Sequence, residues 1–335
     1  MRISKNSMYL YVYFFILTSV VSYFVANREL TNVADTMNYA NNFLDKTSLV
    51  FYYEFLFDLL TYFIRLFTGS YILYFFILNV ILNFLILRVS VFFSSASNLN
   101  QLNFFVFSFC FFIFSSWYYS ASSNGIRQGL ALAICYYAFV GYLINKSKLK
   151  AFFIFLISCF FHYSNFLILP FILLYKLSLN KMFFLVNLLG LFYCFNINEV
   201  IVQKLSSLLS LPVYNEIKNY TEDGVDSYRY GFQLDLFLYT IFFVYLYWFC
   251  NRFVIKDSLF FSSIVKFFYI LVLPYFIFGF AGYSNRYGFM AWFFGIFINC
   301  FIFYLILLKG KRAWFENCFI LIFILAVMFF YYRFV

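Results

Sequence analysis

Residues 117–133 read Trp117-Tyr118-Tyr119-Ser120-Ala121-Ser122-Ser123-Asn124-Gly125-Ile126-Arg127-Gln128-Gly129-Leu130-Ala131-Leu132-Ala133. The Ser/Asn/Gly cluster marks a break in helix, and the apolar run that follows it, Ile126 to Ile144, is long enough to cross a bilayer. Arg127 therefore stands at the start of a membrane helix. Unpaired backbone N–H groups and the positive end of the helix dipole gather at such a start, and an added guanidinium makes a receptor for phosphate. A plainer reading has Arg127 snorkelling to the interface, with Gly125, Gly129 and Ala133 forming a small-residue face for a neighbouring helix.

Working outward, 65% of the 335 residues are hydrophobic and 11% charged. That excludes soluble folds and predicts an all-α polytopic transmembrane helical bundle, a single integral membrane domain over residues 1–335. Phe (58) and Tyr (32) far outnumber Gly (12) and Pro (3), so no single aromatic carries site meaning. The formal charge is +10, but the lysines and arginines are scattered through short inter-helix stretches. They set topology, and no nucleic-acid partner is expected. Seven cysteines without a C-x-x-C pair and a lone histidine, His162, predict neither a disulfide nor a metal site, and no cofactor.

Residues 8–25 read as the first span, an uncleaved anchor with Arg2 and Lys5 on the cytoplasmic side, so that residues 26–70 emerge on the outer side. This first outer segment carries Arg28, Glu29, Asp35, Asp45 and Lys46. In Tyr53 to Phe67, residues Glu54, Asp58, Thr61 and Arg65 recur at spacings of four, three and four, opposite Phe and Leu. The pattern predicts an interfacial amphipathic helix whose polar face is either solvated or part of a site.

Further spans are expected at 71–87, ending at Arg88, at 102–120 and at 126–144, with the Ser/Asn-rich stretch 94–101 as a cytoplasmic loop. Lys146, Lys148 and Lys150 are the firmest cytoplasmic markers. The stretch 151–175 has positive charge at both ends. It reads either as a re-entrant hairpin, with His162-Tyr163-Ser164-Asn165 near the apex, or as one bent span with Lys176 outside. His162 is then a polar residue at depth, a site candidate or a hydrogen-bonded core residue.

Spans at 182–198, 232–250, 258–280, 287–308 and 316–332 complete about 10 or 11 membrane segments. Residues 199–231 form the longest outer loop, with Glu216, Glu222, Asp223, Asp226, Arg229 and several tyrosines. It reads as a lid or sugar-binding surface, or as a plain solvated loop.

The stretch Gly282-Tyr283-Ser284-Asn285-Arg286-Tyr287-Gly288 repeats the pattern of Arg127, an arginine at an outer interface directly before an apolar helix. Two such arginines, together with the carboxylates of the first outer segment, predict a convergent site for an anionic ligand. No G-x-x-x-x-G-K-[ST], G-x-S-x-G or H-E-x-x-H occurs. The driving energy is therefore expected to reside in the substrate.

Several of these stretches together resemble a known family. Ala34-Asp35-Thr36-Met37-Asn38-Tyr39 with Glu54-Phe55-Leu56-Phe57, then Arg127-Gln128-Gly129-Leu130-Ala131, then Phe161-His162-Tyr163-Ser164, then Asn285-Arg286-Tyr287-Gly288 look like the EpsG-like family, which belongs with the Wzy-type polymerases of bacterial O-antigen and exopolysaccharide. The likeness spans roughly residues 30 to 290; Ser164 departs from it, standing two places after the histidine, where the family favours alanine or another small residue.

The resemblance implies a multi-pass enzyme of the bacterial inner membrane with a cytoplasmic amino terminus and a site facing the periplasm. It would act without metal on glycans carried by polyprenyl (undecaprenyl) pyrophosphate, with a chain-length regulator as a further partner. Arg127 and Arg286, with Arg229 as a third, would hold the pyrophosphate, with Tyr283 and Asn285 beside Arg286. Asp35, Glu54 and His162 are the candidates for the base that takes the acceptor hydroxyl proton, with Asp35 preferred on position, close after the first span and on the outer side, and with sequence not deciding among the three. Two rivals remain: a transferase using a polyprenyl monophosphate sugar, and a flippase of lipid-linked oligosaccharide. The first would add single sugars, and the second would move lipid without lengthening the glycan.

Overall fold

In the computed structural model, residues 5–31, 35–210, 212, 214, 215, 230–256 and 258–308 are described. Among them all regular structure is helical, and the chain is a polytopic membrane bundle. Among the described residues six helices are long and apolar enough to cross a bilayer: Met8–Ala26, Tyr71–Ala96, Ile126–Asn145, Leu234–Val254, Leu259–Phe278 and Ser284–Leu307. The expected span at 316–332 and the acidic, arginine-bearing part of the long loop, including Arg229, lie outside the described residues. The chain divides into two compact units, residues 1–166 with 299–335, and residues 167–298.

The first unit holds α1 (Lys5–Ala26), α2 (Thr36–Asp45), α3 (Phe55–Phe67), α4 (Tyr71–Ala96), α5 (Gln101–Phe114), α6 (Ser116–Ser123), α7 (Ile126–Asn145) and α8 (Lys148–Phe161). A buried polar chain ties three of these helices. Tyr118 of α6 donates to Asn83 Oδ1 at 2.7 Å, Asn83 Nδ2 donates to Asn79 Oδ1 at 2.9 Å, and Ser22 of α1 donates to that same oxygen at 2.8 Å. Hydrogen bonds of this kind hold apolar helices in register where the hydrophobic effect between them is weak.

Two expected boundaries fall elsewhere. The span ending at Arg88 instead continues as α4 to Ala96, so 94–96 are helix. A charge at a membrane edge does not stop a helix whose backbone bonds can go on closing. Ser90, in this added turn, pairs its hydroxyl with that of Ser108 on α5 at 3.0 Å. The expected span 102–120 is a bent pair, α5 and α6, meeting at 80°. Ser115 takes an extended conformation there (φ −83°, ψ 131°), and its hydroxyl accepts from the Trp117 amide to start a new helix.

The second unit, described by itself, holds α9 (Leu169–Ile172), α10 (Leu179–Cys194), α11 (Ile197–Leu208), α12 (Leu234–Phe249), α13 (Leu259–Phe278) and the larger part of α14 (Ser284–Leu308). The expected span 182–198 ends early here. Asn196 turns left-handed at φ 55°, and α11 leaves α10 at 91°. Hydroxyl and indole groups fasten α12 to α14: Tyr247 donates to the Gly295 carbonyl at 3.0 Å and Trp292 Nε1 to Thr240 at 2.9 Å.

The expected interfacial helix is α3, and its faces are the reverse of a soluble helix. Phe57, Asp58, Thr61 and Ile64 are buried, whereas Phe63, Leu66 and Phe67 are exposed. The polar face, at Asp58 and Thr61, is therefore not solvated. It turns into the protein, and the aromatic face is left for an apolar surrounding.

Candidate functional site

Three polar residues spread over more than 100 positions meet in the first unit. Glu54 is the residue before α3, extended at φ −71° and ψ 145°, and its side chain makes no capping hydrogen bond to that helix. Its carboxylate is thus left for partners farther off. One oxygen accepts from Arg127 Nη1 at 2.6 Å, and the other lies 2.5 Å from His162 Nδ1.

Arg127 is the second residue of α7, as the Ser/Asn/Gly break predicts, and His162 is the extended residue at which α8 ends (φ −158°, ψ 116°). The predicted interruption of 151–175 is real. After His162 the chain winds as a 3-10 turn over Tyr163–Ile168, and its two halves fall in different compact units.

Aromatic side chains enclose the guanidinium. Arg127 Nε donates to the Tyr39 hydroxyl at 3.2 Å, and its charged carbon stands 4.2 Å from the centre of the Tyr53 ring. Asp35 joins from the start of α2, where its backbone amide donates to Asn124 Oδ1 at 3.3 Å, in the turn just before α7. Thr36 beside it donates to the Ser123 carbonyl at 3.3 Å. The Ser123-Asn124 turn that precedes Arg127 thus also anchors the segment that carries Asp35.

The charges explain the ionisation of the cluster. Burial alone would raise the Glu54 pKa, but the hydrogen bonds and charges of His162 and Arg127 outweigh it and hold the carboxyl down at about 2. Burial raises the Tyr39 and Tyr53 hydroxyls; Arg127 opposes that rise, and the Asp35 charge adds to it. Asp35 therefore belongs to the same electrostatic neighbourhood. The Glu54 side chain is 7% exposed, against 22% for Arg127 and 18% for His162, so the carboxylate is the most buried of the three.

A carboxylate with so low a pKa and both oxygens engaged is a weak base. It is well suited to fixing the orientation of an imidazole and a guanidinium. Among the described residues, no group of three or more His, Cys, Asp or Glu side chains is placed to hold a metal ion.

The sequence profile of the EpsG family matches residues 11–335. The chain belongs to the EpsG family. This family is associated with glycosyltransferase-like polysaccharide polymerase activity. No curated protein and no solved structure matches the chain.

In this EpsG-family chain the structure brings together Asp35, Glu54, Arg127 and His162 among the residues singled out by sequence. Arg286, Tyr283 and Asn285 stand in the second unit. The Arg286 guanidinium there lies 4.5 Å from the centre of the Tyr283 ring, at the start of α14. The first part of the stretch 199–231, expected as a long loop, is instead helical, within α11, and Gln203, Ser206 and Ser207 of this helix line a cavity of about 430 Å³ with Ser210, Tyr214 and neighbours.

Sequence assigned no site role to Tyr39 or Tyr53, and no partner to Lys46 or Asp58. Tyr39 shares its helix face with Thr36, a periodic signal that could have found it. Lys46 and Asp58, both with side chains 0% exposed, pair at 2.6 Å across a non-helical loop. No spacing rule anticipates that contact.

Arg28 is a further surprise. It is 4% exposed and has no carboxylate partner among the described residues. The Val25 carbonyl, the Thr36 hydroxyl at 3.3 Å and the Phe75 ring at 4.2 Å surround it instead.

Proposed function

We propose that the chain is an O-antigen or exopolysaccharide polymerase of the bacterial inner membrane, working on the periplasmic side. It would move a growing glycan from polyprenyl pyrophosphate onto a lipid-linked repeat unit. One observation carries this reading: a single carboxylate, Glu54, holds Arg127 at 2.6 Å and His162 at 2.5 Å, so that a permanent cation and an imidazole are fixed side by side. Group transfer with an anionic leaving group needs that pairing.

In this reaction the acceptor hydroxyl oxygen bonds to the anomeric carbon at the reducing end of the growing chain. The bond from that carbon to the pyrophosphate oxygen breaks, and the electron pair leaves with the pyrophosphate. Arg127 meets the charge that develops there. His162, its Nδ1 turned to Glu54, offers Nε2 to the hydroxyl proton. Asp35 orients the acceptor from the neighbouring turn, and Glu54 serves by position and charge.

The test is reconstitution of the purified protein with defined lipid-linked repeat units. Glycans that lengthen by whole repeats are the expected result. Addition of single sugars from a polyprenyl monophosphate donor, or lipid translocation without longer glycans, would overturn the proposal.

A further inference from the structure

We infer that Asp58 is a positioning residue for the reaction site, acting on the dipeptide Tyr53-Glu54 through the oxygen that accepts the Tyr53 amide, while its ion pair with Lys46 closes the loop beside it. The inference rests on the reading of the Glu54 cluster as the place of reaction. Each atom of the pair has a separate task. Asp58 Oδ1 takes Lys46 Nζ at 2.6 Å, and Asp58 Oδ2 accepts from the backbone amide of Tyr53, also at 2.6 Å. Lys46 Nζ donates in addition to the Val50 carbonyl at 2.5 Å, which folds the loop after α2. Asp58 lies in the first turn of α3, so the loop is clasped onto the helix that Glu54 precedes.

The residue held by its amide, Tyr53, lays its ring against Arg127, and the next residue bridges Arg127 and His162. A shift of the Tyr53 amide therefore moves both the ring that covers the guanidinium and the carboxylate that orients it.

Stability alone gives little reason for such a pair. A buried ion pair can often be exchanged for apolar side chains of similar volume without loss of stability, because desolvation offsets the attraction. What an apolar pair cannot supply is an acceptor for the Tyr53 N–H. Whether the site needs that acceptor is the distinguishing question.

Two double variants separate the tasks. Lys46→Met with Asp58→Asn removes the ion pair but keeps an oxygen for the Tyr53 amide, whereas Lys46→Met with Asp58→Leu removes both. In the polymerisation assay the Asn form is expected to stay close to wild type. The Leu form is expected to lose about 100-fold in kcat with little change in KM, the scale of a misplacement of about 1 Å at a reacting group.

A second readout needs no activity. The chain has one histidine, so the absorbance of N-carbethoxyhistidine formed with diethyl pyrocarbonate, reversed by hydroxylamine, reports on His162. The Leu form is expected to react at the rate of Glu54→Gln, and the Asn form at the wild-type rate. Equal histidine reactivity in the two double variants overturns the inference. Failure of either to fold overturns it too, since the contact would then serve the fold alone. Unequal reactivity, with no chain growth even by wild type, would fail the functional reading and leave the positioning role standing.

Discussion

Glu54 and His162 lie 108 positions apart, one before a helix and one at the end of another, and their side chains meet at 2.5 Å. The same carboxylate reaches Arg127 with its other oxygen. A guanidinium and an imidazole are thereby held to one anion, and neither can turn away without breaking a partly buried hydrogen bond to a carboxylate. Under the proposed function, Glu54 would be the orienting member among Asp35, Glu54 and His162, and the imidazole the group with a nitrogen to spare.

Arg127→Ala is expected to abolish long chains and leave carrier bearing a single repeat, with kcat down about 100- to 1,000-fold, the loss typical when one donor to a developing charge is removed. Arg127→Lys keeps the charge but cannot serve Glu54 and Tyr39 together, and should fall between. Glycan ladders on gels report both, with protein amount in the membrane as the control. Normal ladders in Arg127→Ala would take the residue out of the site.

Much of this geometry was legible before any coordinates. The break before Ile126 placed Arg127 at a helix start, and the four-three-four spacing of Glu54, Asp58, Thr61 and Arg65 gave α3 and its polar face. What could not be read was where that face points. Periodicity gives the direction of a side chain relative to its own helix axis, whereas the neighbour it meets is set by tertiary packing, so Asp58 could as well have been solvated. The bends at Ser115 and Asn196 escaped for a related reason. One serine or asparagine inside an apolar stretch looks like a tolerated polar residue until its backbone is seen to leave the helical region.

The Glu54 pKa fixes the sign of a pH effect. Held at about 2 against the usual 4.5, the carboxylate contributes stability that is fully present above about pH 4.5 and is lost as pH falls through about 2. The melting temperature of wild type should therefore exceed that of Glu54→Gln by a constant margin at neutral pH, and the margin should shrink on acidification below about pH 4. A margin that stays level down to about pH 2 would contradict the depressed value.

Asp35→Asn and His162→Ala should differ in kind. Loss of a proton acceptor typically costs about 100- to 10,000-fold, so His162→Ala should lower kcat on that scale with little change in KM. Asp35→Asn, which keeps the shape of the turn held by Asn124, should chiefly raise the KM for the acceptor repeat. If Asp35→Asn instead carries the larger kcat loss, the two roles are exchanged and Asp35 is the base.

Arg286 tests the second helix-start cation on its own. Its guanidinium rests near the Tyr283 ring at the start of α14, and Arg286→Ala is expected to shorten glycan chains without lowering the amount of protein in the membrane. Ladders of wild-type length would assign Arg286 to the fold of its own unit.

The close approach of α7 to α6 gives the last prediction. A Cβ built on Gly129 would lie 2.7 Å from the Ala121 Cβ and 2.8 Å from the Ala121 carbonyl oxygen. Two of the three nearest atoms are backbone, so no side-chain rotation can clear the overlap, and α7 must move away from α6. Gly129→Ala should therefore cost about 1–3 kcal/mol, as overpacking of a tight contact does, seen as a lower melting temperature in detergent. Adding Ala121→Gly removes the Cβ clash but leaves the carbonyl oxygen at 2.8 Å, so recovery should be partial. Arg127 is two residues from this contact and the Asn124 turn that holds Asp35 lies between the two helices. The single variant should accordingly lose more polymerisation activity than its loss of folded protein explains. Full recovery in the double variant, or none, would mean that the spacing of α6 and α7 is set elsewhere.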